Sequence, residues 1–293
     1  MNWIIKVKVR AISQLPFWFW HGLSSLLYPV VYYLIGYRKK VVFKNLRKSF
    51  PEKNEKEIKS IAKQFYKHFC DVLLESIKLI TVSTRQLEKR ISFKNIDVLE
   101  KYASQGRHLI IVLGHYGNWE FLLGLPLANK ILKHKIRFSG LYKTQSNKAV
   151  DDLLYKSRSK HGLKLIASEN AKKSLAKPKS NCEAILFLGD QSPANAKRAH
   201  WTKFLNQDTG ILMGTERYSK IFDRSVVYMV IHKKSRGYYE FQFHDLIDDP
   251  LNTGKGEISE LHHRALEKDI VANPAYWLWT HKRWKRKKPK NHG

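Results

Sequence analysis

After Thr81 the chain alternates short, β-branched apolar runs with amphipathic helical segments, and that rhythm restricts it to the α/β class. Residues 91–93, 108–113, 136–141, 164–166 and 184–189 read as strands. Residues 97–104, 147–161 and 170–176 read as helices, stopped by Gly106, Gly162 and Pro178. A further helix is expected over 209–222, then a hairpin of 226–232 and 238–244, then a last helix between the turn at 252–256 and Asn273-Pro274. The expected architecture is a mixed sheet flanked by helices on both faces. At 293 residues with 43% hydrophobic side chains, the chain has ample core for it.

The N-terminal part has a different character. From Ala11 to Tyr37 there is no Lys, Arg, Asp or Glu, with Lys6, Lys8 and Arg10 before the stretch and Arg38, Lys39 and Lys40 after it. It is long enough to cross a bilayer as a helix, and its Trp and Tyr residues suit an interface, so residues 1–40 are expected to be a membrane anchor. Pro16, Pro29, Gly22 and His21 argue against one straight span and leave an interfacial or a buried helix open. No small-residue cleavage site follows, so a removable signal peptide is not expected. Residues 41–293 then form one domain. A basic amphipathic segment closes at Pro51. Asn54 and Glu57 make a capping box for a long helix whose apolar residues recur every three or four positions from Ile58 to Ile80, with Lys56, Lys59, Lys63 and Lys67 outside.

Within that domain the stretch Leu109-Ile-Ile-Val-Leu-Gly-His-Tyr-Gly-Asn-Trp-Glu120 reads as a buried strand, a tight turn and the start of a helix. A histidine at such a turn sits on the rim of the sheet, where α/β proteins place their chemistry. His115 and Glu120 are candidates for a base and the carboxylate that fixes its tautomer, although a His near an acid in a turn is as often structural. Asn118 either bonds an oxyanion or anchors the turn. Asp190 and Gln191 end another strand and either line a pocket or cap the next turn. Lys143 and Arg158, taken alone, read as solvated charges. Cys70 and Cys182 are expected as two buried thiols, with neither a disulfide framework nor a metal site.

The net charge of +29 points to anionic partners, spread as it is along the whole chain. No helix–turn–helix, zinc-finger or ribonucleoprotein motif supports nucleic-acid binding. The chain lacks His-Glu-x-x-His, Gly-x-Ser-x-Gly and both glycine-rich phosphate loops, which removes the matching metalloprotease, serine-hydrolase and nucleotide classes. A basic, membrane-bound scaffold, or a nucleic-acid-binding protein on charge grounds alone, remains the non-enzyme alternative.

Gly114-His-Tyr-Gly-Asn-Trp-Glu120 resembles the His-x4-acid motif of glycerolipid-type acyltransferases. In this form it is similar to the bacterial lipid A biosynthesis (lauroyl/myristoyl, or late) acyltransferases. Further blocks agree in order: Arg38…Asn45-Leu46-Arg47…Phe50-Pro51, Phe187-Leu-Gly-Asp190-Gln191, Phe204-Leu-Asn-Gln-Asp-Thr209 with Asn206 in place of the usual glycine, and Asn273-Pro-Ala-Tyr-Trp-Leu-Trp-Thr-His-Lys-Arg283-Trp284. The resemblance implies a glycerolipid-acyltransferase-like fold, with residues 41–293 as the acyltransferase domain. It implies direct transfer from an acyl thioester to a lipid hydroxyl, with no resident cofactor and no covalent acyl-enzyme. His115 would be the base, Glu120 its orienting acid, and Asn118, Lys143, Arg158, Asp190, Gln191 and Arg283 the substrate-binding set. Arg283 lies in the basic stretch 281–290, which reads as an exposed tail. Acyl carrier protein, an anionic lipid or glycolipid and the membrane would be partners, and nucleic acid would not. A lysophospholipid, glycerolipid or aminolipid is the alternative acceptor. With the anchor, the implied location is the bacterial inner (cytoplasmic) membrane, with the catalytic domain on its cytoplasmic face.

Overall fold

The computed structural model describes residues 2–144, 146–178 and 180–289; Lys290, last in the basic stretch, lies outside them. The N-terminal apolar stretch is not one helix. α1 (Asn2–Ser13) ends in a turn, and Pro16, extended at φ −66° and ψ 159°, restarts the chain as α2 (Phe17–Pro29), which passes through a π-helical turn, Val30–Leu34. α3 (Lys39–Ser49) leads to α4 (Glu55–Leu79), opened by the expected capping box of Asn54 and Glu57. α2 lies along α4, burying Phe17, Trp20 and Ser24. Its polar residues meet partners there. Ser24 Oγ donates to Asp71 Oδ1 (2.7 Å), His21 Nε2 lies 2.9 Å from Glu75 Oε1, and Lys78 Nζ donates to the carbonyls of Ser13 and Gln14. The bilayer-crossing anchor expected over residues 1–40, and the inner-membrane placement built on it, are therefore corrected. Among the described residues no helix is long and apolar enough to cross a membrane.

Beyond α5 (Thr84–Glu88) the alternating pattern appears as expected. It comprises β1 (Ile91–Lys94), α6 (Asp97–Ser104), β2 (Leu109–Leu113), a 3-10 segment Trp119–Lys130, β3 (Arg137–Tyr142), α7 (Lys148–Ser159), β4 (Lys164–Ala167), α8 (Ala171–Ala176) and β5 (Glu183–Leu188). Residues 209–222 are not a single helix. A small antiparallel pair, β6 (His200–Phe204) and β7 (Gln207–Ile211), comes first, and α9 is only Gly214–Ile221. The turn of that pair holds Leu205 and Asn206 at φ +48° and +61°; asparagine tolerates this left-handed conformation better than most side chains, which accounts for its place in the loop. β8 (Ser225–Ser235) and β9 (Tyr238–Ile247) form the expected hairpin, and α10 (Glu257–Ala272) ends before Pro274.

The seven-stranded sheet has the order β1-β9-β8-β2-β5-β3-β4. From β8 to β4 all neighbours are parallel; β9 returns antiparallel to β8, and β1 lies parallel to β9. All five residues of β2 are buried, as a parallel strand covered on both faces requires. Leu109, Ile111 and Leu113 enter one apolar layer, with the 3-10 segment and α6; Ile110 and Val112 enter the other, with α3, α4 and α10. Leu113 pairs in register with Leu188. The two strands thus end level, and the residues two positions beyond them, His115 and Asp190, emerge side by side.

Candidate active site

The turn after β2 is held by its glycines and by the C-terminal segment. Gly117 has φ +65°, and a Cβ there would lie 2.1 Å from the Ile231 carbonyl oxygen, so no other residue fits. A Cβ on Gly114 would press on Leu266 at 2.7 Å. Gly117 N donates to Tyr276 O (3.0 Å) and Leu278 N to His115 O (3.1 Å), which anchors residues 276–278 along the turn.

Asp190, 3% exposed, is the carboxylate on His115. Its Oδ1 lies 2.6 Å from His115 Nδ1, and its Oδ2 accepts from the His115 backbone N–H and from Trp277 Nε1, both at 2.8 Å. Burial raises the Asp190 pKa, but the His115 charge and these hydrogen bonds outweigh it and hold the acid well below the usual carboxylate range. Since an ionised carboxylate only accepts, Nδ1 of His115 carries the proton and Nε2 presents its lone pair. Burial works against the imidazolium as well, but the Asp190 charge and hydrogen bond, with Glu120 further off, raise His115 above the ordinary histidine value. Gln191 Nε2 stands 3.3 Å from His115 Nε2, and the Trp119 ring packs edge-on against the imidazole.

Glu120 has a different partner from the one expected. It bonds to Arg158 on α7, through Nη2 at 3.0 and 3.1 Å, not to His115. Asn118 anchors the turn. Its Oδ1 accepts from Glu120 N (3.1 Å), and its Nδ2 donates to buried Glu75 (2.7 Å). Arg283 is not in an exposed tail. It is 2% exposed, donates to Gly210 O at 2.8 Å, and has its pKa lowered to about 10, mainly by burial, against the pull of Asp190. His281 accepts from Ser192 N (3.1 Å). Burial lowers its pKa to about 4, with Asp190 opposing and Arg283 reinforcing the shift.

A cavity of about 500 Å³ opens beside His115. Trp119, Glu120, Lys143, Arg158 and Gln191 line it with the histidine. Its remaining wall is mostly aliphatic, with Leu122, Leu123, Leu163, Leu165 and Leu186 prominent. The sequence-derived set is therefore brought together except for Asn118, which holds the turn from behind, and Arg283, which is buried against the Gly210 carbonyl. Cys70 and Cys182 are buried, free thiols outside the cavity wall. Among the described residues no three His, Cys, Asp or Glu side chains gather as metal ligands. A polarised base at the mouth of an aliphatic cavity is equipped to deprotonate a hydroxyl beside a bound hydrocarbon chain.

Two contributors escaped the sequence reading: Trp277, which fixes Asp190, and Glu75, which fixes Asn118. One signal for the histidine–aspartate pair was present. Leu113-Gly-His115 and Leu188-Gly-Asp190 close two apolar runs in the same way, as parallel neighbours ending at one rim do.

Residues 1–286 match the family described as bacterial lipid A biosynthesis acyltransferase. A lipid A biosynthesis acyltransferase of Haemophilus influenzae is 22% identical over 241 residues, covering 80% of this chain and 72% of that protein. The lipid A biosynthesis palmitoleoyltransferase of Escherichia coli is 20% identical over 281 residues, covering 92% of this chain and 88% of that protein. A lipid A biosynthesis acyltransferase of Shigella flexneri gives the same figures.

Proposed function

The chain belongs to the bacterial lipid A biosynthesis acyltransferase family, and we propose that it moves a fatty acyl chain directly from an acyl thioester, carried by acyl carrier protein, to a hydroxyl of a lipid A precursor or related glycolipid. The observation that carries this reading is the His115–Asp190 pair at the mouth of the leucine-lined cavity. The thioester's hydrocarbon chain occupies the cavity, with its carbonyl carbon beside His115. His115 Nε2 takes the proton of the acceptor hydroxyl as its oxygen attacks that carbon. The C–S bond breaks, the imidazolium returns the proton to the leaving thiolate, and an ester and a free thiol result. Asp190 holds the tautomer and balances the imidazolium. Glu120 and Arg158 act as a pair at the mouth, with Lys143 and Gln191 beside them, where the headgroup and the thioester arm meet the protein. The acidic carrier and the anionic acceptor both suit a body of charge +29. A cavity of about 500 Å³ lined by leucines accords with a fatty acyl donor, the class for which the Escherichia coli relative is named.

The test offers purified protein an acyl–acyl carrier protein together with either a glucosamine-based lipid A precursor or a lysophospholipid, with products read by mass spectrometry. The expected product is the precursor heavier by one acyl chain. Acylation of lysophospholipid alone would overturn the acceptor.

A further inference from the structure

We propose that Gly140 sets the length of the acyl chain this cavity accepts, an inference that rests on the acyl-transfer reading above. Glycine weakens a strand interior, and one found there marks a bulge, a tight backbone or a place where a ligand comes close. Gly140 lies within β3, buried, and the structure gives neither of the first two reasons. Its φ is not in the left-handed region, and its pairing with β4 and β5 runs without a break. A Cβ added there would lie 3.8 Å from Leu163, Leu165 and Leu186, an ordinary van der Waals distance. By contrast, a Cβ on Gly114, Gly117, Gly124 or Gly189 would come within 3.0 Å of a neighbour.

Those three leucines line the cavity, and Gly140 lines it with them. Gly140 is in register with Leu186 on one side and Leu165 on the other, one side-chain row below the sheet rim. Gly140 is level with Ile111, two residues inside the end of β2 and so about 7 Å below it, while His115 lies in the turn beyond that end. Phe138 is next below it on the same face, fully buried and outside the cavity wall. Among the described residues of the wall, the hydrocarbon end of the donor therefore passes at Gly140 the one position without a side chain, one row above the buried Phe138.

The test measures kcat/KM for the wild type, Gly140→Ala and Gly140→Leu with saturated acyl–acyl carrier proteins stepping by two carbons, the acceptor held constant. Each methylene that loses its apolar site costs about fourfold. Gly140→Leu should move the optimum to shorter chains, cutting the longest good donor by about fifteenfold per two-carbon step while short donors stay within about threefold of wild type. Gly140→Ala adds only a methyl group where a Cβ already fits, so it folds even if the leucine variant does not. It should shift the profile the same way by a smaller amount. An unchanged profile in variants that melt like the wild type, or an equal loss at every length, overturns the proposal while leaving the acyl-transfer reading intact. A wild type that transfers no chain from any thioester overturns both.

Discussion

At the scale of single residues, the site turns on which carboxylate holds the imidazole. Asp190 bonds Nδ1 of His115 and its backbone N–H together, while Glu120 is occupied by Arg158. In the proposed mechanism His115 acts only as neutral imidazole, and its pKa is raised above the ordinary histidine value. Activity therefore increases with pH, and its midpoint lies above that value. Asp190→Asn removes the charge that raises the pKa, so the acid limb of kcat/KM should move to lower pH. The plateau should fall by about 10²–10⁴-fold as the tautomer is lost. A pH–rate profile of the two proteins checks this, and an unmoved limb would assign the shift to something other than Asp190. The position of His115 at the rim was legible because it directly follows a buried strand and a glycine, although the sequence left a structural role equally open. Its true partner was not legible. The pairing depends on the register of two strands separated by more than seventy residues, whereas Glu120 lay within reach in the local sequence.

Among elements, the informative junction is where α2, α4, β9 and the turn after β2 meet. Glu75 on α4 has no exposed surface. It lies 2.9 Å from His21 Nε2 and accepts from Asn118 Nδ2 and the Tyr239 hydroxyl, both at 2.7 Å. Asp71, one turn earlier, binds Ser24, Lys233 and Arg236. Glu75→Ala would leave Glu75's buried partners without an acceptor, so we expect it to cost about 3–5 kcal/mol in urea unfolding. A loss below about 1 kcal/mol would mean that the junction reorganises without it. The same junction explains why the N-terminal stretch misread as an anchor. Hydropathy registers that residues 11–37 carry no formal charge, but not that His21 and Ser24 face carboxylates 54 and 47 residues further on. The cap at Asn54 and the limits of α6 were legible because they rest on local chemistry. The β6–β7 pair was not, because Leu205 at positive φ carries no turn signature.

For the whole molecule, strand–helix alternation was enough to indicate a mixed sheet covered on both faces. The strand order was not legible, because it is set by which apolar faces pack together and not by any one segment. That order places β2 and β5 side by side and brings His115, Asp190 and the cavity to one rim. On the proposed function, the charge of +29 would serve the same end at longer range, drawing an acidic carrier and an anionic acceptor to a site whose wall combines leucines with charged side chains. The account therefore rests on one residue where fold, cavity and charge converge. The most direct measurement compares His115→Ala with the wild type, following transfer of an acyl chain from acyl carrier protein to a lipid A precursor by mass spectrometry. The account predicts a folded variant slower by about 10²–10⁴-fold. Transfer at the wild-type rate without the imidazole would contradict it.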